Sequence, residues 1–202
     1  MPPIRALMLD VDGVLVVHPH PQGWSVRMEQ DIGLSPTLLQ SAFFAPHWDD
    51  IIHGRASLRV RLAPVLAEIA PGLSCEKLVA YWFAQDAHVQ PSLLDDVARL
   101  RASGLPVHLA TVQEHERAKY LWETVGLNRH FDAIHYAADL GAAKPHPDFY
   151  RAIENRTSLP SAVLMLVDDK LANIEAARAL GWHGALWTGE DRLVDLIDRA
   201  CI

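Results

Sequence analysis

Two pairs of carboxylates, one hydroxyl and one lysine each stand at the end of an apolar run or in the loop after one. The first pair is Asp10-Val11-Asp12-Gly13, behind the run 4–9. Carboxylates two residues apart at a strand end can point to one side. They repel each other, so either a cation sits between them or one keeps its proton. The first case is a divalent-cation site; the second separates a nucleophile from a general acid. Gly13 permits a sharp turn, and the same four residues also read as a plain turn or cap after a strand. The second pair, Asp168-Asp169, follows the run 162–167, and acids there also suit a helix N-terminus. Thr111 follows 106–110, and Lys144 sits in Gly141-Ala142-Ala143-Lys144-Pro145. Singly, one is an ordinary strand-end threonine and the other a solvated loop lysine. As a set they do more. Carboxylates from two strand ends can build an oxygen site for Mg²⁺, with a hydroxyl and an ammonium holding an anion beside it. The cation and Lys144 would offset repulsion between a phosphate and an attacking carboxylate, which is the arrangement phosphoryl transfer needs.

The elements that must bring these residues together follow from the hydrophobic pattern. The runs 4–9, 106–110, 131–136, 162–167 and 183–187 are continuous rather than alternating, as in strands covered on both faces. Helical spacing is predicted over 90–102, 114–125, 147–157, 173–180, which stops at Gly181, and 191–200. This βαβ rhythm predicts an α/β fold with a Rossmann-like, doubly wound parallel sheet, whose strand C-termini are where ligands bind. The interval 17–89 breaks the rhythm. It holds no convincing strand and three helical stretches: one starting at Ser35-Pro36, one over 57–70 with a kink expected at Pro64, and one over 74–86. It is too long for a loop. The expected organisation is a catalytic core of residues 1–16 and 90–202, with an all-helical cap, residues 17–89, inserted after the first strand.

The 202 residues include 25 acids and 18 bases, for a formal charge of -7, and only four of the bases are lysines. A net acidic chain without a basic run is a poor match for nucleic acid or an anionic membrane surface. Half the residues are hydrophobic and 21% are charged, which is ordinary globular composition. Cys75 and Cys201 form no CxxC and are expected to be free thiols. The run 4–9 is too short for a signal-peptide core and no stretch reaches membrane-spanning length, so a cytoplasmic protein is expected. A monomer or a homodimer is equally compatible.

In family order, the sequence resembles the haloacid dehalogenase superfamily of phosphohydrolases. Leu9-Asp10-Val11-Asp12-Gly13-Val14-Leu15 is similar to its first motif and Leu109-Ala110-Thr111 to its second. Lys144-Pro145-His146-Pro147-Asp148-Phe149-Tyr150 is similar to its third. Asp168-Asp169 with Asn173, then Ala176-Ala177 and Gly181-Trp182, is similar to its fourth. The insert is like the helical cap of the subgroup with sugar-phosphate phosphatases, β-phosphoglucomutase and the phosphatase domain of soluble epoxide hydrolase. Within that subgroup the chain looks most like small bacterial glucose-1-phosphate phosphatase-like members. The resemblance implies Asp10 as nucleophile, and Asp12 as general acid and then base. It implies Mg²⁺ held by Asp10, the backbone carbonyl of Asp12, Asp169 and Asp168. Thr111 and Lys144 would bind the phosphoryl group, and Asn173 would orient the metal-site carboxylates. Val112 stands where many members have Asn, which removes an amide contact but leaves a backbone N–H.

The expected substrate is a small phosphorylated metabolite, with a sugar phosphate favoured. Candidate substrate contacts beyond Thr111, Val112 and Lys144 are His18 and His20, where the chain enters the insert, and Trp48 and Arg55 within it. His18 and His20 also read as exposed hinge residues, and Trp48 as packing. A phosphomutase of the β-phosphoglucomutase type is an alternative that differs by excluding water. A non-enzymatic phospho-acceptor module uses the same residue types, but in receiver domains the acid pair precedes the acceptor, and here it follows. Dehalogenation is disfavoured by Asp12, and phosphonate cleavage by the lack of a cap lysine other than Lys77.

Overall fold

The computed structural model of the protein describes residues 3–200. Five strands form one parallel sheet: β1 (Ala6–Leu9), β2 (Val107–Thr111), β3 (Ala133–Tyr136), β4 (Leu164–Asp168) and β5 (His183–Leu186). Their order across the sheet is β3-β2-β1-β4-β5. The chain moves outward from β1 on one side, then returns to the other side of β1 at β4. The C-terminal ends of β1 and β4 therefore flank a topological switch point, the place where open parallel sheets bind ligands. Leu9 pairs with Leu109 on one side and with Val167 on the other, so Asp10 and Asp168 leave the sheet side by side.

The strand runs are continuously apolar because both faces are covered. On one face Leu7, Leu9, Leu109 and Val167 pack with Leu93 and Val97 of a helix over Pro91–Ala102 and with Leu193 and Leu196 of the last helix. On the other, Met8, Ala110, Leu164 and Leu166 meet Phe149, Tyr150, Ile153 and Ile174. Alternate residues of one strand thus serve two cores. Expected and observed strands overlap at all five positions with shifted ends. The run 162–167 opens with a 3₁₀ turn over Ser161–Val163 before β4, and Thr111 and Asp168 are the last residues of their strands rather than the first beyond them.

The segment between β1 and β2 begins with five helices: α1 (Met28–Ile32), α2 (Pro36–Leu39), α3 (Ala45–Ile52), α4 (Leu58–Ile69) and α5 (Cys75–Gln85). A π-helical turn over Gln40–Phe44 joins α2 to α3. Pro46 at that junction has no N–H to return to Ala42, and the wider turn accommodates the missing bond. α4 runs through Pro64 as one helix of twelve residues, so Pro64 does not end it. These helices enclose their own apolar cluster, including Phe43, Leu62, Leu78, Trp82 and Phe83. Both connectors to the sheet run through a narrow neck. Val17 N–H donates to His88 O at 3.1 Å and Gln90 N–H to Leu15 O at 2.9 Å.

After the neck come α6 (Pro91–Ala102), α7 (His115–Lys119), α8 (Ala137–Leu140), α9 (Pro147–Thr157), α10 (Leu171–Ala179) and α11 (Leu193–Ala200). The helix expected over 114–125 is α7 followed by a π turn over Tyr120–Thr124. Among the described residues no helix is long and apolar enough to cross a membrane. Cys75 is a free thiol; Cys201 lies outside the described residues.

Candidate active site

Asp10 is the first residue past β1 and only 4% exposed. Its N–H still bonds Val167 O at 3.0 Å, which fixes its backbone at the switch point. Oδ1 accepts from Val11 N–H at 2.7 Å and lies 2.9 Å from the ammonium of Lys144. Among the described residues no donor reaches its other oxygen. Lys144 comes from the loop between α8 and α9. Its Nζ also donates to Asp168 Oδ2 at 2.6 Å and to Ala110 O at 2.8 Å. The ammonium thus sits buried between two carboxylates at adjacent strand ends. Asp168 is fully buried and well supported: Lys170 N–H reaches Oδ1 at 2.9 Å, and Asn173 Nδ2 reaches Oδ1 and Oδ2 at 2.9 and 3.0 Å. Asn173 is held on the first turns of α10, where Tyr150 Oη donates to its carbonyl at 2.8 Å.

These contacts set the charges. Burial pushes the Asp10 carboxyl up to about 6, against the pull of Lys144, with Asp168 adding to the rise. Burial would also raise Asp168, but the charge and hydrogen bond of Lys144 and the donors of Lys170 and Asn173 hold it below its ordinary value. Burial disfavours the Lys144 ammonium, yet the two carboxylates more than compensate and hold it charged. Asp169 is raised by burial, partly offset by Lys170.

Asp10, Asp168 and Asp169 each offer an oxygen within 4.8 Å of the others. Oδ1 of Asp169 is buried without a hydrogen-bond partner. Three carboxylates converging, with Asp169 Oδ1 and the second oxygen of Asp10 left without donors among the described residues, are a fit for Mg²⁺, which takes oxygen ligands near 2.0–2.1 Å and keeps several waters. Gly13 makes the cluster possible. Its φ is +83°, and a Cβ there would overlap the Asp169 carboxylate.

Thr111 ends β2, two residues beyond Leu109, on the strand beside β1. Its hydroxyl is fully buried and has no hydrogen-bond partner among the described residues. Asp12 projects differently from Asp10. Its Oδ2 accepts from Gln113 Nε2 at 2.6 Å, and its Oδ1 lies 3.6 Å from Arg117. Its side chain thus stands apart from the three-carboxylate cluster. The fold brings together Asp10, Lys144, Asp168, Asp169 and Asn173, with Thr111 and Asp12 on the same edge, and half-buried Val112 follows Thr111.

The other sequence candidates are not among the contacts of the Asp10–Lys144–Asp168 row. His18 and His20 are in the neck: His18 Nδ1 accepts from His20 N–H at 2.9 Å, and its ring meets that of His88 edge-on at 5.6 Å. Trp48 packs in the insert against Phe44 and Trp82, at 5.2 and 5.7 Å between ring centres, and lines a cavity of about 340 Å³ there. Arg55 is exposed, just past the end of α3, and pairs with Asp50 at 2.9 Å and with Asp49, both on α3. Three residues that the sequence did not single out touch the Asp12 environment: Gln113, Arg117 and Asp86. The signal was faint. Gln113 closely follows a strand end already marked by Thr111, whereas Arg117 reads as one more charge on a solvated helix face.

The family model for haloacid dehalogenase-like hydrolases matches residues 4–181. The chain belongs to that family. Phosphoglycolate phosphatase of Escherichia coli (strain K12) is 29% identical over 91 residues, covering 45% of this chain and 36% of that protein. The chain therefore spans little more than a third of the length of that relative. An alanine variant of a HAD family enzyme from Bacteroides thetaiotaomicron, in complex with magnesium and inorganic phosphate, is similar in fold. Its TM-score is 0.78 at 18% identity, over 95% of this chain and 98% of that one. A HAD-like family hydrolase from Porphyromonas gingivalis gives 0.76 at 20% identity, over 98% of both chains. L-2-haloacid dehalogenase from Xanthobacter autotrophicus gives 0.64 at 20% identity, over 94% of this chain and 79% of that one.

Proposed function

We propose that the protein is a Mg²⁺-dependent phosphomonoesterase that hydrolyses a small phosphorylated metabolite through an aspartyl-phosphate on Asp10. The observation that carries this reading is the buried Asp10–Lys144–Asp168 row, with Asp169 beside it and a second, separately held carboxylate two residues past Asp10. The phosphoglycolate phosphatase relative and the neighbour bound to magnesium and phosphate agree with it. A bound Mg²⁺ would neutralise phosphate charge at the cluster of Asp10, Asp168 and Asp169, with the Asp12 carbonyl as a further ligand.

The chain's own residues then act in two half-reactions. A carboxylate oxygen of Asp10 attacks phosphorus. The ester P–O bond breaks, its electron pair stays on the leaving oxygen, and the carboxyl proton of Asp12 moves to that oxygen to release an alcohol. Asp12, now a carboxylate, takes a proton from water as the water oxygen attacks phosphorus. The bond to Asp10 breaks, its pair returns to Asp10, and phosphate leaves. Lys144 offsets charge on the transferred group, Thr111 donates its free hydroxyl to it, and Asn173 keeps Asp168 oriented. Residues 17–89 would act as a cap that selects the leaving group, entered past His18 and His20.

The test is phosphate release from an aryl phosphate with and without Mg²⁺, for native protein and Asp10→Asn. Native turnover should require Mg²⁺, and the variant should lose about a thousandfold or more. Unchanged turnover in Asp10→Asn sinks the mechanism.

A further inference from the structure

We propose that Gln113 and Arg117 are positioning residues for Asp12, and that Arg117 ties Asp12 to the point where the helical insert rejoins the sheet. The inference rests on the reading of Asp12 as the group that exchanges a proton with the leaving oxygen. A proton donor works only within hydrogen-bond reach of its target and in a fixed orientation. Asp12 lies within the tight turn that starts at Val11, and its side chain is 48% exposed, so the turn holds its backbone but not its carboxyl. Two side chains do. Gln113 Nε2 donates to Oδ2 at 2.6 Å. Arg117 Nη2 faces Oδ1 at 3.6 Å, and that oxygen is buried. With Oδ1 buried, Oδ2 is the oxygen left to give and take the proton, and Gln113 fixes where it stands.

Both partners are themselves held. Gln113 is 4% exposed, and its carbonyl accepts from Ala138 N–H at 3.1 Å. The buried Glu114 carboxylate caps α7 by accepting the N–H groups of Glu116 and Arg117, which sets the turn from which Arg117 projects. Arg117 is only 2% exposed. A guanidinium that deep is costly unless paired. Its partners are Asp86, through Oδ2 at 3.2 Å and the backbone carbonyl, and the Phe83 ring at 5.8 Å. Phe83 is on α5 and Asp86 just past its end, where the chain leaves the insert. Asp86 is the nearer partner of Arg117, at 3.2 Å against 3.6 Å for Asp12, so one guanidinium bridges the two carboxylates. One buried cation therefore joins the end of the insert to the residue that must meet the leaving group.

Two esters of similar shape separate positioning from general support. Phenyl phosphate has a poor leaving group that needs a proton; 2,4-dinitrophenyl phosphate has a good one that does not. The full chain is assayed with Mg²⁺ on both. If native protein cleaves neither ester, if Asp10→Asn is as active as native, or if Asp12→Asn lowers kcat/KM equally on both esters, the function proposed above fails, independently of Arg117. With those controls in place, Arg117→Met and Gln113→Leu should each lower the ratio of phenyl to dinitrophenyl kcat/KM, which reports the leaving-group step and not the later attack of water, by about tenfold or more, within the range general acids contribute. Arg117→Lys, which keeps the charge, should recover part of the loss. An unchanged ratio, or an equal fall on both esters, overturns the proposal. If Arg117→Met does not fold, Gln113→Leu decides alone, since it removes no charge from the interior.

Discussion

The hydroxyl of Thr111 is fully buried at the end of β2 and meets no protein partner. A buried hydroxyl left unpaired costs about 1–3 kcal/mol, and replacing it with a methyl of the same shape removes that cost. Thr111→Val should therefore leave stability unchanged or raise it by about 1 kcal/mol, while phosphate release falls about tenfold or more. Urea unfolding and turnover on one preparation check both halves. A variant that is clearly less stable would show that the hydroxyl serves the fold instead. Asp168 makes the opposite case. Lys144, Lys170 and Asn173 all donate to it, so its substitution would disturb structure and site together. The residue types of this edge were legible in the sequence because the carboxylates and Thr111 fall at strand ends, and Lys144 in a loop after one of the apolar runs. The partners of Asp12 were not, because Gln113 and Arg117 reach it across 101 and 105 positions of chain, and no local pattern marks a contact of that span.

At the level of elements, the same long-range principle explains which boundaries could be read in advance. The five apolar runs identified the strands because both faces of the sheet are buried, but their ends depended on pairing. β3 begins at Ala133 rather than earlier because its ladder to β2 starts at His108. The π turns in the α2–α3 and α7 regions have no counterpart in a 3.6-residue pattern. α11 depends on a tertiary contact of the same kind. The buried Asp96 of α6 accepts from Leu193 N–H at 3.2 Å, on the first residue of α11, and from Arg192 at 2.6 Å. It stands in for a cap that the chain ahead of α11 does not supply. Asp96→Ala should cost about 1–2 kcal/mol and raise amide hydrogen exchange in α11 more than in α6. Equal acceleration in both helices would mean that the carboxylate supports α6 packing rather than the start of α11.

Over the whole molecule, the helices between β1 and β2 rest on the sheet and its flanking helices at several points besides the neck. Arg59 of α4 pairs with Glu116 of α7 at 2.6 Å, Phe83 meets Tyr120 at 5.3 Å, and Gly54 lies so near the Ala138 carbonyl that a Cβ would overlap it. The acidic balance of the chain is likewise a local matter, with four of its 25 acids at the β1 and β4 edge and one of its four lysines between them. A different buried group governs how the whole fold responds to acid. His108 of β2 and His135 of β3 face each other through Nδ1 and Nε2 at 3.0 Å, sharing one proton between them. A second proton would set two N–H donors against each other. Burial, then His108 and Arg156, lowers His135 to about 4, and burial lowers His108 as well. A histidine with a folded pKa below its unfolded value binds protons more readily when unfolded, so stability is fully present above about 6.5 and is lost as pH falls toward 4. For His135 the loss is roughly 3 kcal/mol. The raised Asp10 carboxyl works the other way, gaining stability as pH falls from about 6, so the native curve alone would mix the two. Comparing native protein with His135→Gln cancels Asp10, which both carry. Urea unfolding between pH 7 and 4.5 should show the native protein losing stability more steeply than the variant. Parallel curves would mean that His135 takes up its proton in the fold as readily as in the unfolded chain.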